Sequence, residues 1–169
     1  MSASPPSTIS RLGWLAFLVA AAVVVCDQSL KVWVVDGLGM TPGDSRPLLG
    51  PLLFTLVRND GISFGFFHAN AAWTRWAWAA FALAASVMLG LAVRRTDRLV
   101  TAVAMGLIIG GAVGNLIDRV RLGSVVDFID VHPLIAIFPW IFNIADAGIS
   151  VGVGLLLADI LVGSRREAT

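Results

Sequence analysis

Cysteine is almost absent from this chain: Cys26 stands alone among 169 residues, so no intramolecular disulfide can form and nothing about redox compartment follows. Charge is scarce as well, at 14% of residues, and the net charge is only +1. No basic face is available to track phosphates, which argues against a nucleic-acid partner. Glutamate occurs once, as Glu167, so the acidic groups are almost all aspartate. The motifs of several hydrolytic chemistries are missing too. There is no HExxH zinc helix, His68 and His132 lack ligand spacing, and no serine sits in a GxSxG setting. Asp130-Val131-His132 reads as an exposed loop and not as a metal site, no phosphate-cradling glycine loop is present, and Cys26 has no evident base in its apolar run. No metal or cofactor is therefore expected. What the chain has instead is hydrophobicity, 57% of residues with a mean hydropathy of +0.86. That composition fits one small polytopic membrane domain over residues 1–169.

Four apolar segments are long enough to cross a bilayer, at about 13–35, 71–93, 99–118 and 137–162. The first could instead be a cleaved signal peptide ending at Cys26, but Val25 stands where a small residue is needed and the apolar pattern resumes in Leu30 to Val35. Residues 36–70 differ in texture: glycines and prolines punctuate short runs such as LLFTLV (52–57), which predicts short strands. Asn59-Asp60-Gly61 signals a turn, and Phe64, Phe66 and Phe67 form an aromatic patch beyond it. Trp73, Trp76 and Trp78 open the second span as an interfacial belt. A five-residue basic loop then leads into the third span, which predicts an antiparallel pair. The expectation is an all-α membrane protein, with four transmembrane helices, a β-containing element at 36–70 between the first two, and a loop at 119–136.

Ionisable groups at membrane depth are costly, and a chain keeps them where they face protein or water. The stretch 110–146, GGAVGNLIDRVRLGSVVDFIDVHPLIAIFPWIFNIAD, carries Asp118, Asp127, Asp130 and Asp146 together with Asn115, Asn143 and Arg119. Gly106, Gly110 and Gly114 recur every four residues as a ridge for close helix packing that Asp118 extends, and Gly111, Asn115 and Arg119 form the ridge beside it. Asn143 and Asp146 are three apart and share a face with Ser150; Asp27 and Lys31 are four apart and can pair. For that pair a surface site at the interface and a buried one bordering a functional site stand even. Asp159 is expected to snorkel or to meet Arg165 and Arg166.

Two carboxylates a few ångströms apart can hydrolyse a peptide: like charges cannot both ionise cheaply, so one keeps its proton. The ionised member deprotonates a water while the protonated one polarises the carbonyl. Spacing alone leaves an aspartyl enzyme, with Asp27, Asp118, Asp127, Asp130 and Asp146 as candidates, close beside a small proton-coupled carrier. A non-catalytic assembly factor is a third reading.

Four segments in order, DQSLKVWV (27–34), VRNDGISFGFF (57–67), GGAVGNLIDRVRLGSVVDFID (110–130) and FNIADAGISVGVGLLL (142–157), make the chain resemble the lipoprotein signal peptidases (signal peptidase II) over nearly its whole length. The resemblance implies a catalytic pair formed by Asp127, in the G-x-V-x-D-F segment, and Asp146, in F-N-x-A-D. It demotes Asp118 and Asp130, Asp118 then supporting the helix end by charge pairing beside Arg119. It also lends weight to Asn115, Arg119 and Asn143 as supports for the pair and the substrate, and to Asp27, Lys31, Asn59 and Gly61 as site-lining or structural groups. Ile62 and Ser63 depart from the small residues usual in the family at the substrate entrance. The implied activity is removal of the signal peptide from prolipoproteins already diacylglycerylated on cysteine, without a cofactor, in the bacterial inner membrane, with globomycin as an inhibitor. Positive charges divide six and six between the two sides, but those of the terminal side sit in very short flanks. Both termini are thus expected to be cytoplasmic, with 36–70 extracytoplasmic and the aspartates toward the outer face.

Overall fold

The computed structural model describes residues 8–61, 71–132, 134–135 and 140–167. The aromatic patch at Phe64–Phe67, its suggested action as a lid, His68 and the Ile62/Ser63 departure fall outside these residues. Among the described residues four helices are long and apolar enough to cross a membrane, with candidate spans Arg11–Gly37, Trp73–Val93, Leu99–Leu122 and Ile144–Val162. They belong to α1 (Arg11–Val32, prolonged by a π-helical turn Trp33–Gly37), α2 (Ala71–Val93), α3 (Leu99–Leu122) and α4 (Ile144–Glu167). A four-stranded antiparallel sheet, in the order β1 (Ser45–Leu49), β2 (Leu52–Asn59), β3 (Val125–Asp130), β4 (Ile141–Phe142), completes the chain.

Helix α3 is the centre of the bundle. Half of its span is buried, against 22%, 22% and 17% for the other three, and it packs on all of them. The small-residue ridges explain how. A Cβ added at Gly106 or Gly110 would lie 2.6 or 2.7 Å from the carbonyl oxygen of Ala16 or Ala20 on α1, and one at Gly111 would collide with the carbonyl of Ala145 on α4. The 106–110–114–118 ridge therefore faces α1, and the 111–115 ridge faces α4. Close backbone approach of this kind carries helix association where lipid removes the hydrophobic drive. The exposed side chains are what a lipid-facing surface requires, among them Trp73 (69% exposed), Leu18, Val25, Met88 and Leu161.

The helix ends are fixed by side chains and glycine. Ser10 accepts the Gly13 amide at 2.9 Å and donates its hydroxyl to the Thr96 carbonyl, tying the start of α1 to the α2–α3 loop. Gly123, at φ +87°, ends α3 by donating to the Arg119 carbonyl. Arg98 reaches Asp159 at 2.7 Å and Thr101 reaches it at 2.8 Å, joining the start of α3 to the far end of α4, while the side chains of Arg165 and Arg166 lie outside the described residues.

Two boundaries differ from the sequence reading. Within the loop expected at 119–136, residues 119–122 form the last turn of α3 and 125–130 form strand β3. The fourth helix begins at Ile144, not near 137, because Ile141 and Phe142 pair with Asp130 and Ile129 of β3. An apolar run ahead of a helix carries no signal of its own that separates helix from strand. The sheet packs one face on the π-helical end of α1, where Val34, Met40, Phe54, Leu56, Val126 and Phe128 form a closed core. Edge-to-face contacts Trp33–Phe54 and Phe54–Phe128, at 5.9 and 5.7 Å, order it. This packing holds β3, and with it Asp127, above the ends of α1, α3 and α4.

Candidate active site

Asp127 comes from β3, opposite Val57 of β2. Asp146 comes from the first turn of α4. Between them stands Asn143, whose side-chain nitrogen donates to Asp127 Oδ1 at 2.7 Å. Its side-chain oxygen accepts the Asp146 amide at 2.9 Å, while the Asn143 amide donates to Asp146 Oδ2 at 3.3 Å. This reciprocal pair is a capping box in which aspartate stands at the third helical position. The F-N-I-A-D segment therefore starts α4 and delivers one carboxyl with the same five residues.

Each of the four carboxyl oxygens accepts one amide-type donor. Asn59 Nδ2 supplies Asp127 Oδ2 at 2.9 Å, and Asn115 Nδ2 supplies Asp146 Oδ1 at 2.7 Å. The orientation of every one of these amides follows from a partner that can only donate. The Gly61 amide gives its hydrogen to Asn59 Oδ1, the Asp146 amide to Asn143 Oδ1, and the Lys31 ammonium to Asn115 Oδ1. Each asparagine must then turn its NH₂ toward a carboxyl. Gly61 is needed at its place, since φ is +78° and an added Cβ would meet the Trp78 ring nitrogen at 2.8 Å.

Beneath this lies an ion cluster. Lys31 Nζ is 2.7 Å from Asp27 and 2.8 Å from Asp118, and all three side chains are buried. The pair that spacing left even between surface and interior is interior. Asp27 also accepts the Ala145 amide at 3.0 Å, satisfying an otherwise orphaned donor at the positive end of α4. Asp118 accepts from Gln28 and from the Val126 amide at the start of β3. Its ion pair is thus with Lys31, and not with the neighbouring Arg119 as expected, because the two successive residues leave α3 on different ridges. Arg119 donates to the Asn115 carbonyl at 3.3 Å and lies within electrostatic reach of Asp146, Asp127 and Asp118. Asp130 stands apart, accepting from Thr55 and the His132 amide.

Every residue singled out in the sequence as a support, Asn115, Arg119, Asn143, Asp27, Lys31, Asn59 and Gly61, thus belongs to one connected network with Asp127 and Asp146. Gln28 was not singled out. It bonds Asp27, Asp118 and the Gly114 carbonyl, and its place beside Asp27 in the DQSLK segment was the available signal. Burial, partly offset by the hydrogen bond from Asn59 and reinforced by the charge of Asp146, pushes the Asp127 carboxyl up from 3.8 to about 6. Of the two carboxyls, Asp127 is buried and Asp146 is partly open.

The family described as Signal peptidase (SPase) II matches residues 19–162. The chain is 52% identical to the lipoprotein signal peptidase of Caulobacter vibrioides, over 96% of both chains. It is 40% identical to that of Cupriavidus necator, covering 95% of this chain and 90% of the relative. Among solved structures it resembles two reported as bacterial membrane enzymes. One has a TM-score of 0.77 at 31% identity, over 92% of this chain and 97% of the other; the second has 0.76 at 30%, over 94% of each. The match spans all four helices and every residue of the network, and the chain belongs to the signal peptidase II family.

Proposed function

We propose that this chain is an aspartyl endopeptidase of the membrane that removes the signal peptide from diacylglyceryl-modified prolipoproteins, cutting just before the lipidated cysteine. The observation that carries the reading is Asn143, hydrogen-bonded at once to Asp127 and to Asp146. The named activity of the relatives, lipoprotein signal peptidase, supplies the substrate class.

The chemistry needs no group beyond the chain and a water. With one proton held by the pair, the ionised carboxyl takes a proton from water as its oxygen attacks the scissile carbonyl carbon, and the protonated carboxyl hydrogen-bonds the carbonyl oxygen. Collapse of the tetrahedral intermediate breaks the C–N bond, a proton passes to the leaving amine of the cysteine, and the pair again holds one proton. The burial that raises the Asp127 pKa to about 6 widens the pH range in which that single proton is retained. Asn59, Asn115 and Asn143 hold the carboxyls in register, and Arg119 balances their charge. A lipidated cysteine and an apolar signal helix both partition into the bilayer, which presents the bond near its surface. A site between helix ends meets it there. The reading includes cytoplasmic termini, a catalytic end toward the outer face of the bacterial inner membrane, and inhibition by globomycin-type cyclic peptides.

The test is a gel-shift cleavage assay with a purified diacylglycerylated prolipoprotein, comparing wild type with Asp127→Asn and Asp146→Asn. Each swap keeps size and removes the titrating carboxyl, and each is expected to lower cleavage on the order of 10²–10⁴-fold while the protein still folds. Near-normal activity in either variant would remove that aspartate from the mechanism. Absence of cleavage by wild type would reject the peptidase reading itself.

A further inference from the structure

On the flank of the network lies a cleft of about 120 Å³ that the proposed chemistry does not use. Its floor is the Lys31–Asp118 ion pair. Its walls are Val32 and Asp36 at the end of α1, Arg58 on β2, and Arg121 and Leu122 at the end of α3. The volume is well above what a single water needs and admits a tetrahedral group with its solvent.

The charges lining it divide into two kinds. Lys31 is spent, held between Asp27 and Asp118. Among the described residues, Arg58, Arg121 and Asp36 have neither an ion pair nor a side-chain hydrogen bond, whereas Lys31 and Asp118 beside them are each bonded several times over. Arg58 is half-buried on the strand position paired with Val126, and Arg121 and Asp36 are exposed at the rim. Two free guanidiniums suit a phosphate, which they grip through paired donors. A free carboxylate at the same mouth repels a plain anion and suits a cation instead. The apolar surroundings point to what carries both charges. Val32 is 50% exposed and Leu122 49% exposed at the cleft, and below them Leu18 and Val25 lie at seven-residue spacing from Val32 along one exposed stripe of α1. That stripe descends a membrane-spanning helix from the cleft toward the bilayer interior.

We propose that this cleft is a binding site for a zwitterionic phospholipid of the phosphoethanolamine type. The phosphate meets Arg58 and Arg121, the ammonium meets Asp36, and an acyl chain follows the Leu18–Val25–Val32 stripe. The bound lipid would border the active site, separated from Asn115 only by Lys31, which donates to Asn115 and also floors the cleft. The site stands on the cleft's own residues and is independent of the peptidase reading.

Native mass spectrometry of the full-length protein, released from nanodiscs containing equal amounts of phosphatidylethanolamine and phosphatidylglycerol, tests the proposal. Wild type is expected to retain one phosphatidylethanolamine at collision energies that strip the remaining lipid. Arg58→Gln/Arg121→Gln is expected to lose that adduct. Asp36→Asn is expected to keep a lipid but lose the preference for ethanolamine over glycerol, a change that misfolding would not produce. Retention of phosphatidylglycerol in preference by wild type would overturn the proposal in favour of an anionic-lipid site. So would an adduct unaffected by the arginine changes, or full displacement by inorganic phosphate alone, which would make the cleft a free-anion site.

Discussion

Two ion pairs at opposite ends of this bundle have the same length. At the sheet end Lys31 lies 2.7 Å from Asp27; at the other end Arg98 lies 2.7 Å from Asp159. The first pair is 4% and 0% exposed, while in the second Arg98 is 53% exposed and Asp159 11%. Distance therefore cannot be what separates their worth. An exposed pair trades solvation for a contact of little value. A buried charge left alone has no solvent to return to. Lys31 also does work that Arg98 does not, since its third contact sets the amide of Asn115 and through it the donor to Asp146. At one end charge is part of a site; at the other it fastens two helices.

The largest expected effect on stability follows from removing Lys31. Lys31→Met leaves Asp27 and Asp118 buried without their cation and should cost about 3–5 kcal/mol, read as a fall in the melting temperature of the detergent-solubilised protein. Lys31→Met combined with Asp118→Asn should cost less than the two single changes added together, because the groups share one network. Strict additivity would break the contrast, placing Lys31 in the same class as Arg98.

Next in size is packing. Gly110→Ala drives a methyl toward the Ala20 carbonyl oxygen and Val23 Cβ, both 2.7 Å from the added atom. Overpacking against backbone of this kind costs about 1–3 kcal/mol. Gly154→Ala on α4 meets nothing within 4 Å and should instead gain up to about 1 kcal/mol from helix propensity. Equal responses at the two glycines, in the same melting assay, would mean that the α1–α3 ridge does not hold the bundle closed.

A smaller effect concerns pH. The folded pKa of Asp127, about 6, lies above the ordinary value of 3.8. The native state therefore binds more protons than the unfolded state between those values, and stability falls as pH rises through that window. Asn59 stabilises the ionised form by donating to Asp127, so Asn59→Ala raises the pKa further and moves the window upward. The pH profile of kcat/KM should show the matching change: the alkaline limb assigned to the carboxyl pair moves to higher pH in the variant. A downward or absent shift would detach Asn59 from Asp127.

How much of this was legible beforehand divides along physical lines. The spans could be read because apolar length is a local property, and the α3 ridges because a four-residue repeat of glycine fixes a face. The resemblance of four short segments selected Asp127 and Asp146 from five aspartates that spacing could not rank. What local pattern could not supply was pairing. β3 sits inside a stretch that reads as a polar loop, and only its register with Val57 and Arg58 on a strand some seventy residues earlier makes it a strand. Asp118 was assigned to its sequence neighbour Arg119 because adjacency in sequence was all there was to use; the helix turned it toward Lys31. The contact of Asp159 with Arg98 had no local signal either. The two residues lie 61 positions apart.

That last pair gives the smallest effect and the sharpest control. Arg98→Ala removes an exposed guanidinium and leaves Asp159 with Thr101, whose hydroxyl still donates to it at 2.8 Å. The expected cost is about 0–1 kcal/mol, and it should shrink further when salt is raised from low to near-molar concentration, since the Debye length falls from about 30 Å at 0.01 M to about 3 Å at 1 M. The cost of Lys31→Met should change little over the same range, because ions do not enter the buried cluster. If the two variants instead respond alike to salt, water and ions reach Lys31. The burial on which the contrast between the two ends depends would then not hold in solution.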